Sequence, residues 1–169
     1  MQAFADLFNA LDQTTSTNAK VAALTDYFQT AADPDKLWCI ALFSGRRPKR
    51  AVTTTRLREW AAERAGIPLW LFEETYPIVG DLSETIALIL PDATRQTNRT
   101  LSDWMDEILR LTPADEDSRK EAVLDAWDCL NTTERFLFNK LLTGGFRVGV
   151  SQKLMTRALS RATDTEEAQ

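Results

Sequence analysis

Apolar residues recur through most of this chain at intervals of three and four positions, the spacing that builds one face of an α-helix. The first such stripe consists of Phe4, Leu7, Phe8 and Leu11. Convincing alternation of apolar and polar residues, which would favour β-strands, is missing from the 169-residue sequence. Glycine, proline and cap residues separate the periodic segments. The sequence therefore predicts an all-α fold, an irregular compact bundle of about nine to ten short helices.

The length and the hydrophobic content set the scale of the core. Hydrophobic residues make up 44% of the chain, which is enough for one compact domain with a buried interior. No low-complexity linker interrupts the sequence, so we expect a single domain over residues 1–169. The tryptophans lie on apolar stripes and are expected in the core, with stacking on nucleic-acid bases as the alternative. In the helix that begins at Asp33-Pro34 and ends at Gly45, the residues expected to face inward are Leu37, Trp38, Ile40 and Ala41.

The residue types present limit the chemistry that the chain could perform. Histidine, the commonest metal ligand and general base, does not occur. Cys39 and Cys129 are far apart in sequence and do not make a zinc site. We expect both to be buried free thiols in a reducing cytoplasm, with a disulfide as the less favoured alternative. The N-terminus does not resemble a signal peptide, and no apolar run is long enough to span a membrane. We therefore expect no membrane association, no metal site and no catalytic residue.

Charge is distributed unevenly along the sequence. The net charge of −5 argues against nucleic-acid binding until its distribution is considered. Residues 44–58 carry +6 with no acidic residue, and residues 134–161 carry +5, which leaves −16 for the rest of the chain. Two basic windows in an acidic chain predict a localised surface for an anionic partner.

A glycine-rich loop between two predicted helices, within residues 139–157, is the first candidate site. Glycine ends the first helix, a further glycine permits close approach of a ligand to the backbone, and a serine caps the second helix. Flanking cations would add charge-assisted contacts. This pattern predicts a clamp for the phosphates of a nucleic-acid backbone, and the alternative is a tight corner between helices with solvated charges. The residues of the proposed clamp are Gly144, Gly145, Arg147, Gly149, Ser151 and Lys153.

Two other segments could contact phosphates. The first is the basic loop of residues 45–55, which contributes Arg46, Arg47, Lys49 and Arg50, and the alternative is a solvated surface loop. The second is the turn that contains Gly80 and Ser83, at the start of a predicted helix. Its alternative is an ordinary helix start capped by Asp81, which would have to turn away to admit a phosphate.

Several stretches resemble the N-terminal DNA-binding domain of ATP-dependent DNA ligases. The segment LLTGGFRVGVSQKLMTRAL is similar to the end of that domain, and STNAKVAALTDYF to an early helix. WCIALFSGRRPKR and GIPLWLFEETYPIVGDLSETIALIL look like its middle. The resemblance covers nearly the whole chain in the same order, and it is strongest to the bacterial ligases found beside helicase and nuclease partners.

The resemblance implies a helical domain that binds the minor groove on both sides of a nick and helps to close the ligase around duplex DNA. Carried over by position, the phosphate-contacting residues are those of the glycine clamp together with Gly80 and Ser83. The basic loop is included chiefly for its charge. The implied partners are double-stranded or nicked DNA, the remaining domains of the ligase, and helicase or nuclease proteins of DNA repair, recombination or replication.

The resemblance also implies what this chain does not do. The catalytic lysine of the family lies in a K-x-D-G motif, and no lysine here is followed by that pattern. ATP and Mg²⁺ would act in other domains of the parent ligase, and this chain would contribute DNA affinity and nick positioning in the cytoplasm.

Two other functions compete with this one. A helix–hairpin–helix DNA glycosylase would need an essential Asp beyond its glycine hairpin, and the chain offers only Asp164 in a polar tail. A helical protein–protein adaptor would use the acidic remainder of the chain.

Overall fold

The structure is a computed structural model that describes residues 1–46, 48–146 and 150–163. Within these residues the chain forms ten α-helices and no strand, which confirms the predicted all-α class. The helices are α1 (Gln2–Asp12), α2 (Thr17–Thr30), α3 (Asp33–Phe43), α4 (Thr54–Ala65), α5 (Leu69–Val79), α6 (Leu82–Ile89), α7 (Leu101–Leu111), α8 (Glu116–Cys129), α9 (Thr132–Thr143) and α10 (Gln152–Thr163). None of the described helices is both long and apolar enough to cross a membrane.

Packing divides the described residues into two compact units. The first unit lies within Met1–Arg47, Arg99–Met105 and Phe146–Gln169, and the second within Pro48–Asn98 and Asp106–Gly145. Helix α7 runs from the first unit into the second. This division reflects how closely the residues pack, and it does not show whether the two units fold together. The single domain expected over residues 1–169 therefore stays a prediction.

An aromatic cluster forms the centre of the first unit. The ring of Phe146 lies 5.3 Å from that of Phe8, 5.8 Å from that of Phe43 and 6.1 Å from that of Phe4, measured between centroids. All four side chains are buried. Helix α2 packs against both α1 and α10.

The inward face of α3 differs from the prediction. Leu37 is 68% exposed, and Trp38, Ile40 and Ala41 are only partly buried. The buried residues of the helix are Cys39, Leu42 and Phe43. Both sets have helical spacing, since α3 is apolar on nearly every side. Periodicity therefore could not decide between the two faces, and the choice made from sequence was wrong.

Helices α6 and α9 form the most closely packed pair of the second unit. The side chains of α9 that build this core are Leu137, Phe138, Leu141 and Leu142, all at most 1% exposed. One buried polar network crosses it: the indole Nε1 of Trp127 donates to Asn139 Oδ1 at 2.8 Å, and Asn139 Nδ2 donates to the carbonyl oxygen of Ser83 at 3.3 Å. Pairing these buried polar groups fixes how α9 lies against α6.

Helix α5 contradicts the expectation that every tryptophan belongs to the core. Trp104 and Trp127 are fully buried and Trp60 is 5% exposed, as predicted, but Trp70 is 63% exposed. Phe72 is the buried residue of α5. The apolar pattern of this segment shows that it is hydrophobic, but it does not indicate whether another helix packs against it.

Both cysteines are buried free thiols, as predicted. Burial raises the pKa of the Cys39 thiol well above its ordinary range, so the thiol stays protonated and unreactive.

Candidate nucleic-acid interface

Gly144 and Gly145 form a tight turn at the carboxyl end of α9. Gly144 has φ of 72°, in the left-handed region, and the amides of both glycines donate to the carbonyl oxygen of Lys140. A Cβ built on Gly144 would meet no atom within 4 Å. The dihedral angle, rather than crowding, is therefore the reason for glycine here. The predicted helix end is confirmed.

The turn that contains Gly80 lies between α5 and α6. Gly80 ends α5 with φ of 90°, and Asp81 caps α6 by accepting from the amide of Glu84 at 2.9 Å. Ser83 is buried at 6% exposure. A carboxylate thus already occupies the start of α6, which is the alternative that the sequence left open. A phosphate could reach this turn only if Asp81 moved.

The turn at Gly80 and the turn at Gly144 are joined directly. The Nζ atom of Lys140 lies 2.8 Å from Oδ2 of Asp81, and its side chain is 17% exposed against 37% for that of Asp81. The same ammonium group lies 4.9 Å from the centroid of the Phe136 ring. This ion pair, together with the contact between Asn139 and Ser83, fixes the two turns relative to each other.

Part of the basic loop reaches the same place. The amide of Ala51 donates to the carbonyl oxygen of Leu142, in the last turn of α9, at 3.0 Å. Ala51 is buried, whereas the two residues before it, Lys49 and Arg50, are exposed and form no ion pair within the described part of the chain. Their charges are therefore available to an anionic ligand beside the carboxyl end of α9.

Three predicted segments of the second unit thus meet at one place. We call the carboxyl end of α9, with the Gly80 turn and the residue pair Lys49–Arg50, the α9 end. Sequence position did not reveal this meeting, because the segments are separated by tens of residues. The connecting side chains, Asn139 and Lys140, were not among the predicted site residues. Asp81 was expected from sequence as a helix cap, but its ion pair with Lys140 was not expected.

The remaining predicted residues lie in the first unit or outside the described residues. Arg46 is exposed, and its amide donates to the carbonyl oxygen of Ala41 at 2.9 Å. Ser151 caps α10, as predicted, because its Oγ accepts from the amide of Leu154 at 3.2 Å. Lys153 is exposed in the first turn of that helix and forms no ion pair with described residues. Three predicted residues, Arg47, Arg147 and Gly149, lie outside the described residues.

The sum of charge in the two basic windows overstates the charge on the surface. Arg135 is 2% exposed, and its guanidinium donates to the carbonyl oxygens of Trp127 and Pro91 at 2.6–2.9 Å. Burial lowers the pKa of Arg135 from its ordinary value, although neighbouring aspartates oppose the shift. Its role is structural. In the first window, Arg56 and Arg58 are also committed to ion pairs with glutamates.

Burial alone would raise the pKa of the Asp81 carboxyl group. Hydrogen bonds from Lys140 and from the amide of Glu84 outweigh that effect and hold the pKa below its ordinary value. Asp81 therefore carries a full negative charge near neutral pH, directly after Gly80 and in contact with Lys140. Among the described residues, no three Cys, Asp or Glu side chains are grouped as a metal site would require.

Fold and site together define an all-helical domain in which exposed cations and two glycine turns surround one helix end. The family model described as DNA ligase N terminus matches residues 1–160, and the chain belongs to this family. A search of curated proteins gave no match to the chain.

Membership confirms the resemblance drawn from the sequence motifs. The family is the N-terminal domain of ATP-dependent DNA ligases, so the chain has its role in a DNA ligase. The matched domain does not include the catalytic nucleotidyltransferase domain. DNA and the rest of the ligase are the partners that this family suggests.

Proposed function

We propose that this chain binds duplex DNA through the sugar–phosphate backbone and the minor groove, without sequence preference, and positions a nick for the catalytic domain of its ligase. The observation that carries the proposal is the meeting of three segments at the α9 end. Lys49 and Arg50 supply cations there that no acidic side chain neutralises among the described residues. Contacts of this kind hold a protein on DNA and carry no sequence information.

The first unit would contribute a second set of contacts from the start of α10. Ser151 and Lys153 are exposed at that helix start, where amide groups and a cation favour an anion. Arg46 supplies another exposed cation without an ion pair among described residues. ATP and Mg²⁺ act, in this proposal, in other domains of the ligase. Placement in repair, recombination or replication, beside helicase or nuclease proteins of the cytoplasm, belongs to the same proposal.

Fluorescence anisotropy with labelled duplexes tests this function. We expect the 169-residue chain to bind two unrelated duplex sequences equally, with log affinity falling linearly as log salt rises. Charge reversal in Lys153→Glu should weaken binding to both sequences and reduce the salt slope by about 0.9, the value for one phosphate contact. The matched control is Arg110→Glu, which changes an exposed arginine already paired with Glu107. No binding at low salt, or binding that does not depend on salt, would overturn the proposal.

The protein–protein adaptor remains a second candidate because of α5. Its large apolar side chains Leu69, Trp70, Leu71 and Ile78 are 37–86% exposed. Exposed apolar surface of this kind suits a protein partner. A substitution of Trp70→Ser that leaves DNA affinity unchanged but weakens ligation by the full ligase would favour an interdomain role for α5. The glycosylase alternative rests on Asp164, which lies outside the described residues.

A further inference from the structure

The ion pair between Lys140 and Asp81 has a feature that a purely structural contact does not require. Asp81 uses its two carboxylate oxygens for different tasks: Oδ1 accepts from the amide of Glu84 and caps α6, whereas Oδ2 accepts from Lys140. The cap and the ion pair can therefore be separated chemically. Loss of the ion pair alone would leave the helix start intact.

The position of Lys140 gives its charge a further use. Its backbone oxygen accepts from the amides of Gly144 and Gly145, and its side chain reaches Asp81 in the Gly80 turn, so this one residue links two predicted phosphate contacts. The ammonium group also lies over the ring of Phe136, while the partner Asp81 is more exposed than Lys140 itself. A change of anion at the ammonium group would therefore need movement of one side chain and no repacking of α9.

We propose that Lys140 is a further phosphate-contacting residue of the α9 end, and that Asp81 holds it in reserve until a DNA phosphate replaces the Asp81 carboxylate on the ammonium group. This inference rests on the proposed function. Asp81 then acts as an internal competitor that limits the affinity of the domain for DNA. Such a limit favours release of a backbone that is bound by charge alone.

The decisive variant is Asp81→Asn, because asparagine caps helices as well as aspartate does. Its Oδ1 still accepts from the amide of Glu84, but the amide nitrogen at the other position cannot accept from Lys140. We expect DNA affinity to rise about fivefold at 0.1 M salt, because the phosphate no longer competes with a carboxylate for Lys140. The salt slope should stay the same, because the number of phosphate contacts in the complex does not change. If this variant folds poorly, Asp81→Ser preserves a cap and is measured instead.

Removal of a negative charge near DNA raises affinity by itself, so a matched control is needed. Glu84 lies three residues further on, is exposed, and forms no ion pair with described residues. Glu84→Gln removes the same charge without releasing Lys140. We expect it to raise affinity less than Asp81→Asn does and to leave the salt slope unchanged. Lys140→Met should itself reduce the salt slope by about 0.9, the value for one lost phosphate contact, and in that background Asp81→Asn should lose its larger gain.

The outcomes separate this inference from the function on which it rests. If the unsubstituted chain shows no salt-dependent binding to duplex DNA, the proposed function fails. If the chain binds, but Asp81→Asn and Glu84→Gln change affinity equally and Lys140→Met leaves the slope unaltered, the reserve role of Lys140 is wrong and the proposed function stands. Persistence of the Asp81→Asn gain in the Lys140→Met background would also overturn the inference.

Discussion

The basic residues of the two positively charged windows fall into two groups that sequence cannot distinguish. Lys49 and Arg50 are exposed and form no ion pair within the described residues, whereas Arg135 is buried and Lys140 is paired. All four contributed equally to the positive charge of the windows. The number of arginines and lysines therefore does not give the positive charge available to a ligand. Residues that are buried, or that are paired with a carboxylate, must first be subtracted.

Substitutions in the two groups should affect different properties, the stability of the fold in one case and the affinity for DNA in the other. A buried guanidinium is costly to desolvate and stays stable only because its donors are satisfied, so its loss should be felt in folding. An exposed cation has little to lose in the folded state, so its loss should be felt in ligand affinity. Measurements of stability and of DNA binding on the same variants can therefore test whether the two groups differ in this way.

The largest effect is expected for Arg135→Met. The buried carbonyl oxygen of Trp127 and the partly buried one of Pro91 would lose their donor, and a buried acceptor left without a partner costs roughly 1–3 kcal/mol. We therefore expect the free energy of unfolding to fall by about 3 kcal/mol in urea denaturation followed by circular dichroism. DNA affinity of the folded fraction should be unchanged. The control Arg135→Lys, which keeps the charge, should cost less, and a loss as small as that of a surface substitution would contradict the structural role.

The helix boundaries are features of the fold that the sequence could predict. Helix starts and ends depend on a few neighbouring residues, so Asp81 as the cap of α6 and Ser151 as the cap of α10 could be predicted. Asn131 and Glu134 form a reciprocal capping box. Gly144 ends α9 for an equally local reason. Such features follow from backbone geometry and need no knowledge of the tertiary structure.

Features that depend on residues far apart in the sequence could not be predicted. The inward face of α3 and the exposure of Trp70 depend on what packs against each helix, and the sequence pattern was compatible with more than one answer. The same holds for the site: its glycine turns were predicted, but the burial of Arg135 and the pairing of Lys140 with Asp81 were not. Burial and ion pairing of a charged residue depend on the tertiary structure. For this reason the candidate site was predicted as separate segments rather than as one surface.

An intermediate effect is expected for the double charge reversal Lys49→Glu with Arg50→Glu. Loss of two phosphate contacts should reduce the salt slope by about 1.8 and lower duplex affinity by more than about tenfold at 0.1 M salt. Because both side chains are exposed and unpaired among the described residues, the free energy of unfolding should stay within about 0.5 kcal/mol. Anisotropy and urea denaturation on the same preparation measure both quantities. Unchanged affinity would remove these residues from the α9 end as DNA contacts.

The smallest effect is expected for Arg56→Gln, a useful intermediate case because Arg56 is exposed like the first group and paired like Lys140 of the second. Its side chain is 50% exposed, yet it is paired with Glu59 at 3.1 Å and also with Glu116. Exposed ion pairs contribute about 0–1 kcal/mol, so we expect unfolding to become easier by less than about 1 kcal/mol. DNA affinity should change by less than about twofold, because this charge is already neutralised by carboxylates within the fold. If Arg56→Gln weakened binding as strongly as the substitutions at Lys49 and Arg50, then pairing would not decide which cations DNA uses, and exposure alone would divide the basic residues of this domain.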